Sequence, residues 1–337
     1  METQFENFAS KRILITGGLG FIGSNLAKRL VDMGAGVTLV DSLIPEYGGN
    51  LWNVELIKDR VRINISDVRD EHSMKYLVQG QDYLFNLAGQ TSHTDSMDAP
   101  YADLEINARA QLYILEACKK YNKEIKVVFA STRQMYGIPQ YLPVDERHQI
   151  APVDVNGINK MAGEWYHLVY NNVYGTRTSV LRLTNTYGPH MRVKDARQTF
   201  LGIWIRRLIE GNPILVFGDG KQVRDFNYVD DAVDAFLLAA ESEDANGEIY
   251  NLGADDPINL KDTAELLIKI NGSGTYEMVP FPEDRKVIDI GDYYGDYRKI
   301  RSRLGWKPAI TLEDGLKKTL DFYYKFHEHY WEVDYDR

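Results

Sequence analysis

The sequence predicts an α/β protein: a doubly wound parallel sheet with a smaller C-terminal α/β lobe. Three observations carry this. Short apolar runs alternate with amphipathic helical patterns, as strands covered by helices on both faces require. A glycine-rich turn joins the first run to the first helix. After Gly188-Pro189 the alternation loosens, and Pro213, Pro257, Pro280, Pro282 and Pro308 punctuate the rest.

Residues 12–16, Arg-Ile-Leu-Ile-Thr, form the first strand, apolar and rich in β-branched side chains. A helix over 24–33 follows, stopped by Gly34 and Gly36, and a second strand covers 37–40. Further strands are expected at 61–65, 83–87, 126–130, 178–183 and 249–252. Apolar spacing near 3.6 predicts helices at 104–121, 160–174 and 230–241. Segments 200–210, 214–217 and 260–270 are less regular. Residues 1–187 plus 226–252 are therefore assigned to the first domain, and 188–225 plus 253–337 to the smaller lobe. The end of the chain, 331–337, is expected to fray. A length of 337 residues suits two such units and a large core.

The 39 Lys and Arg against 49 Asp and Glu leave a net charge of −10. That argues against nucleic acid or an anionic membrane as the main partner. Cys118 is the single cysteine, which excludes an internal disulfide and a cysteine-rich zinc site and suits a reducing compartment. The start, residues 1–7, is polar and acidic, without a secretory-signal pattern. The longest apolar runs, such as 235–240, are far short of a membrane span. A cytoplasmic protein is expected. His327-Glu328-His329 lacks a third ligand at helical spacing, so no metal is expected.

Gly17, Gly20 and Gly23 are spaced G-x-x-G-x-x-G between the first strand and helix and enclose Phe21 and Ile22. Glycine permits the tight turn and the approach of a pyrophosphate to backbone N–H groups. The helix N-terminus favours the negative charge. Asp41 ends the second strand, 18 residues after Gly23. A carboxylate there binds ribose hydroxyls and repels a 2′-phosphate, so NAD is expected rather than NADP.

From residue 12 to about 320 the chain resembles the extended short-chain dehydrogenase/reductase family, specifically its nucleotide-sugar epimerases and dehydratases. The matching stretches are the glycine turn, Ser66–Asp70, Asn86-Leu87-Ala88-Gly89-Gln90, Ser131-Thr132, Lys160-Met161-Ala162-Gly163-Glu164, Arg182–Pro189 and Gly218–Asp225. The Leu87–Gln90 and Gly220–Asp225 stretches look most like the CDP-tyvelose 2-epimerase branch. The resemblance implies a Rossmann domain that holds NAD and a second lobe that holds a nucleotide sugar. It places Asp67 and Val68 at the adenine, Leu87 and Ala88 along the cofactor, and Asn107 as a brace for the strand ends. It also implies a homodimer through the helices at 104–121 and 160–174.

The family's chemistry, by the same resemblance, uses a Ser or Thr, a Tyr and a Lys, with the Tyr four residues before the Lys on one helix face. Thr132 fits the hydroxyl and Lys160 the lysine, but the tyrosine position is Asn156. An amide donates and accepts hydrogen bonds but is no base near neutral pH. Three readings stand open. Another group moves the proton, with His93 after the fourth strand foremost and Thr132 through a water, Lys160 or Tyr136 as others. The protein binds NAD and a nucleotide sugar without catalysis. Or Asn156 is an introduced substitution.

The dehydratases of the family resemble Thr-Asp-Glu after the fifth strand, where this chain has Thr132-Arg133-Gln134. Without the acid pair, dehydration is disfavoured, and so is decarboxylation, which uses a Glu at the position of Gln134. Epimerisation, or simple oxidation and reduction of a hydroxyl, remains. Gln90 and Arg133 are candidate sugar contacts. Asn185, Arg224 and Arg285 are candidates for the nucleotide diphosphate, because the planar fork of arginine pairs with phosphate oxygens.

Overall fold

The computed structural model describes residues 8–195 and 199–332. Residues 1–7 and 333–337, where the polar start and most of the expected fraying fall, lie outside the described residues. The strands are β1 Arg12–Thr16, β2 Gly36–Asp41, β3 Val61–Ile65, β4 Tyr83–Asn86, β5 Lys126–Thr132, β6 Arg177–Leu183, β7 Asn185–Tyr187, β8 Ile214–Phe217, β9 Val223–Arg224, β10 Phe226–Tyr228, β11 Ile249–Asn251, β12 Ile258–Asn259 and β13 Tyr276–Val279. The α-helices are α1 Phe21–Asp32, α2 Glu71–Leu77, α3 His93–Asp98, α4 Pro100–Leu104, α5 Ala110–Tyr121, α6 Val155–Tyr174, α7 Phe200–Ile209, α8 Val229–Glu241, α9 Leu260–Asn271, α10 Glu283–Lys286, α11 Arg298–Leu304 and α12 Leu312–Phe326.

Seven strands form one sheet in the order β11-β6-β5-β4-β1-β2-β3, every neighbouring pair parallel. Strand order reverses between β1 and β4, so their C-terminal ends open the crevice where sheets of this kind hold ligands. Ile13, Leu14 and Ile15 are wholly buried, as a strand covered on both faces requires. The 230–241 pattern becomes α8, which packs on α1, β5 and β6, and β11 pairs with β6 at the sheet edge. The remaining strands form three two-stranded pieces. The pair β10-β7 packs against α8, whereas β12-β9 and β13-β8, with α7 and α9, build the smaller C-terminal α/β lobe.

Three helix bounds differ from the periodicity, each for a local reason. α1 starts at Phe21, because Gly20 already takes the extended N-cap conformation. The expected helix over 104–121 is broken: α4 ends at Leu104, residues Glu105–Arg109 form a π-helical turn, and α5 starts at Ala110. The wider turn carries Asn107, whose amide reaches Asp103 and the Gln90 carbonyl. α6 begins at Val155, five residues before the expected start, because Asp154 caps it by accepting from Gly157 N–H at 2.6 Å.

Candidate functional site

A cleft of about 580 Å³ runs from the glycine turn, past the ends of β4 and β5, to the smaller lobe. At one end lies the turn after β1. Gly17 has φ +68°, and a Cβ there would stand 2.9 Å from the Ala88 nitrogen. A Cβ on Gly23 would stand 2.2 Å from the Gly17 carbonyl oxygen. The glycines are therefore required by close backbone approach. No side chain caps α1, so its first N–H groups, at Phe21, Ile22 and Gly23 beside Gly20, remain for an anion.

Asp41 closes β2 at the rim of this turn. Its Oδ2 accepts from Leu19 N–H at 3.1 Å and its Oδ1 from Leu43 N–H at 2.9 Å. Burial raises its pKa, and those backbone donors oppose the rise. Asp67 is held by Arg69 at 2.6 Å, and that contact keeps its carboxyl below the usual range. Val68, Leu87 and Ala88 give the same stretch of cleft an apolar lining. A tight glycine cradle, an open helix N-terminus and a carboxylate at the next strand end fit NAD.

The middle of the cleft holds the reaction residues expected from sequence. Thr132 ends β5, and its Oγ1 accepts from Gln134 N–H at 3.2 Å. Lys160 and Asn156 share a face of α6 at i and i+4. The Lys160 Nζ donates to the Ala130 carbonyl at 2.6 Å and lies 4.6 Å from the centre of the Phe129 ring. Burial pulls its pKa down to about 8, with Asp103 and Glu164 pulling the other way.

The Asn156 amide faces a polar network. Its Nδ2 donates to the Gln90 carbonyl at 2.9 Å and to Asp103 Oδ2 at 3.0 Å. Asp103 is wholly buried and also accepts from Asn107 at 3.0 Å and Asn159 at 2.8 Å. Gln90 and Asn156 line the cleft, whereas Asn107 sits behind them and is not part of its wall. His93 is in the wall too, with its Nδ1 3.0 Å from Asp154 Oδ2.

Tyr136, weighed as a base, is buried away from the cleft. Its hydroxyl is tied to Asn251 and Arg182, and burial pushes its pKa up to about 12. Glu164 pairs with Arg182 and accepts from Ser131. His167 stacks on Phe129 with ring centres 4.2 Å apart, and burial takes its pKa down to about 4.

Toward the smaller lobe, Arg133 donates to Asn185 Oδ1 at 2.8 Å and lies over Tyr293. Arg224 is buried, donates to the Val223 carbonyl at 2.9 Å and stands 3.5 Å from Asp289. Burial lowers its pKa to about 10. Arg285 is half-buried, 5.7 Å from the centre of the Phe217 ring. Asp103 and Asp154 are the polar groups that sequence reasoning missed. Asp154 carried a readable signal: an acid three residues before a glycine at the start of an apolar periodic run. Asp103 carried none, because two of its three amide partners, Asn156 and Asn159, lie 53 and 56 residues further along the chain.

The sheet order, the crevice and the glycine cradle define a dinucleotide-binding α/β protein. A family model described as "NAD dependent epimerase/dehydratase family" matches residues 13–253. The chain is 35% identical over 324 residues to the UDP-N-acetyl-alpha-D-glucosaminuronate decarboxylase of Bacillus cytotoxicus, covering 93% of this chain and 98% of that one. It is 30% identical over 313 residues to the UDP-glucose 4-epimerase of Mycolicibacterium smegmatis, covering 93% and 98%. Among solved structures, the UDP-glucose 4-epimerase of Thermotoga maritima with UDP-glucose superposes with a TM-score of 0.86 at 32% identity, covering 93% of this chain and 99% of that one. The chain belongs to the NAD-dependent epimerase/dehydratase family, and NAD is its cofactor. Among the described residues no helix is long and apolar enough to cross a membrane.

Proposed function

We propose that the protein epimerises a nucleotide-activated sugar through a transient keto intermediate. The observation that carries this is one continuous cleft, which joins the glycine cradle, the Thr132–Lys160 pair and the arginines of the smaller lobe. When bound, NAD would supply a reversible hydride acceptor for one sugar carbon. The glycine turn, with Phe21 and Ile22, receives the pyrophosphate, Asp41 the ribose hydroxyls, and Asp67 and Val68 the adenine. Leu87 and Ala88 flank the cofactor, and Asn107 braces the Gln90 backbone. Thr132 and Lys160 orient the sugar hydroxyl, Gln90 and Arg133 contact the sugar, and Asn185, Arg224 and Arg285 hold the diphosphate. In this reading 188–225 and 253–337 form the nucleotide-sugar lobe.

The relatives named above include a decarboxylase and epimerases. Overall identity therefore does not choose the reaction, and residues 133 and 134 are what favour epimerisation in this reading. Arg133 and Gln134 present no acid beside Thr132. Epimerisation needs neither carboxylate, only reversible proton and hydride transfer at one carbon.

A second reading, a protein that binds NAD and a nucleotide sugar without turnover, is favoured by one observation. The Asn156 amide is engaged by Gln90 and Asp103 and is no base. Proton NMR of the protein with NAD and a panel of UDP-, CDP-, GDP- and dTDP-sugars separates the two. A new anomeric signal supports the epimerase. Silence of both the wild-type chain and Asn156→Tyr favours the binding protein.

We also propose a cytoplasmic homodimer. On α6, Ile158, Trp165, Val169 and Val173 form an exposed apolar stripe at helical spacing, suited to a partner helix. Sedimentation equilibrium of wild type and Trp165→Glu checks it, with a dimer expected only for wild type.

A further inference from the structure

With an amide at position 156, the proton of the sugar hydroxyl needs another acceptor. Lys160 Nζ is bonded to the Ala130 carbonyl. Tyr47, the phenol in the cleft wall, has its pKa raised by burial, the wrong direction for a base. His93 is the imidazole among the cleft-lining residues, on the first turn of α3 and about a third exposed.

Its Nδ1 lies 3.0 Å from Oδ2 of Asp154, whose side chain is completely buried; this is an ion-pair distance, with the ring not aligned for a hydrogen bond. Asp154 is gripped from two further directions. Gly157 N–H donates to its Oδ1 at 2.6 Å, and the Gln134 amide donates to its Oδ2 at 2.8 Å. Burial raises the Asp154 pKa, but His93, Gly157 and Gln134 outweigh it, so the group stays ionised. An ionised carboxylate on Nδ1 selects the tautomer with its hydrogen there. The lone pair is then on Nε2.

We propose that His93 and Asp154 are the proton-transfer pair of this site, His93 as the catalytic residue and Asp154 as its positioning residue. The inference rests on the epimerase reading. In the forward step the hydroxyl O–H bond breaks and an Nε2–H bond forms. The C–H bond breaks, its hydrogen leaves with both electrons for the bound NAD, and the C–O bond becomes C=O. The imidazolium is balanced by Asp154. After the keto sugar presents its other face, hydrogen and electron pair return to carbon and Nε2 gives its proton back to oxygen. No atom or electron is gained overall, as an epimerisation demands.

The test uses wild type, His93→Gln, His93→Gly and Asp154→Asn, each with NAD and the same sugar panel. Loss of a positioned base is expected to lower kcat roughly 10²–10⁴-fold in both His93 variants. Affinity for NAD and UDP, by calorimetry, should stay within about threefold of wild type, by the same separation of binding from chemistry. Added imidazole should restore turnover to His93→Gly, which a structural role would not do. Asparagine keeps the α6 cap, so Asp154→Asn should fold. It should lower kcat with little change in KM and abolish the downfield Nδ1–H proton resonance of His93. Turnover of His93→Gln close to wild type overturns the pair. Silence of wild type on every sugar overturns the epimerase reading and this inference with it.

Discussion

Lys160→Met should make the protein more stable and inactive. Lys160 holds its charge inside the fold, and burial lowers its pKa from 10.5 to about 8. At ~1.36 kcal/mol per unit, that shift means roughly 3 kcal/mol of destabilisation while the group is charged. Methionine removes the charge and also the bond to the Ala130 carbonyl, worth about 1 kcal/mol. The net gain at pH 7 is roughly 2 kcal/mol, or about 3 °C in Tm for a chain of this length. The folded pKa lies below the unfolded one, so the penalty is complete below pH 8. Between about 8 and 10.5 the unfolded chain binds more protons and wild-type stability rises with pH. The advantage of the variant should therefore nearly vanish by pH 9.5. Urea unfolding of both proteins at pH 7 and 9.5 measures this. A variant less stable than wild type at pH 7, or an advantage that does not shrink with pH, would refute the reasoning.

Gly23→Ala should abolish NAD binding by calorimetry and lower Tm, because its methyl would stand 2.2 Å from a backbone oxygen of the cradle. Glu164→Gln should lose roughly 3–5 kcal/mol in urea unfolding, because it leaves the buried Arg182 guanidinium without its anion. Asp41→Ala should weaken NAD binding, whereas Arg224→Ala should weaken nucleotide-sugar binding and leave NAD in place. Equal loss of both ligands in each folded variant would contradict the division of the cleft.

The sheet was legible because each central strand is an apolar run and the glycine turn has a fixed spacing. Asp41 was legible for the same reason: its place at a strand end follows from local pattern. The helices at 71–77 and 312–326 went unread. The second had a signal, since Thr311 accepts from Asp314 N–H three residues on. The break at Glu105–Arg109 could not be read, because a π-helical turn is stabilised by what Asn107 meets across the fold. The same holds for the polar groups of the site. His93 could be placed at the end of a strand from sequence. Its partner Asp154 lies 61 residues further along the chain and meets it only in three dimensions.

By the resemblance, Asn156 stands where the family has its tyrosine, and its amide is fully engaged there. A buried carboxylate is costly, and Asp103 is stabilised by amide donors from Asn107, Asn156 and Asn159, with the charge of Lys160 acting on it as well. Gln90 adds two acceptors to the same Asn156 amide, at 2.9 and 3.2 Å. A phenol has one O–H donor where this amide has two N–H donors. Asn156→Tyr therefore brings in a titratable group and also removes a donor from Asp103. Gln90, Asp103, Asn107 and Asn159 together form a shell suited to an amide, which weighs against an isolated change at 156. Within the proposed reading, the floor of the cleft is a hydrogen-bonded amide shell that offers no base, so the proton is passed at its wall, where His93 and Asp154 lie 3.0 Å apart.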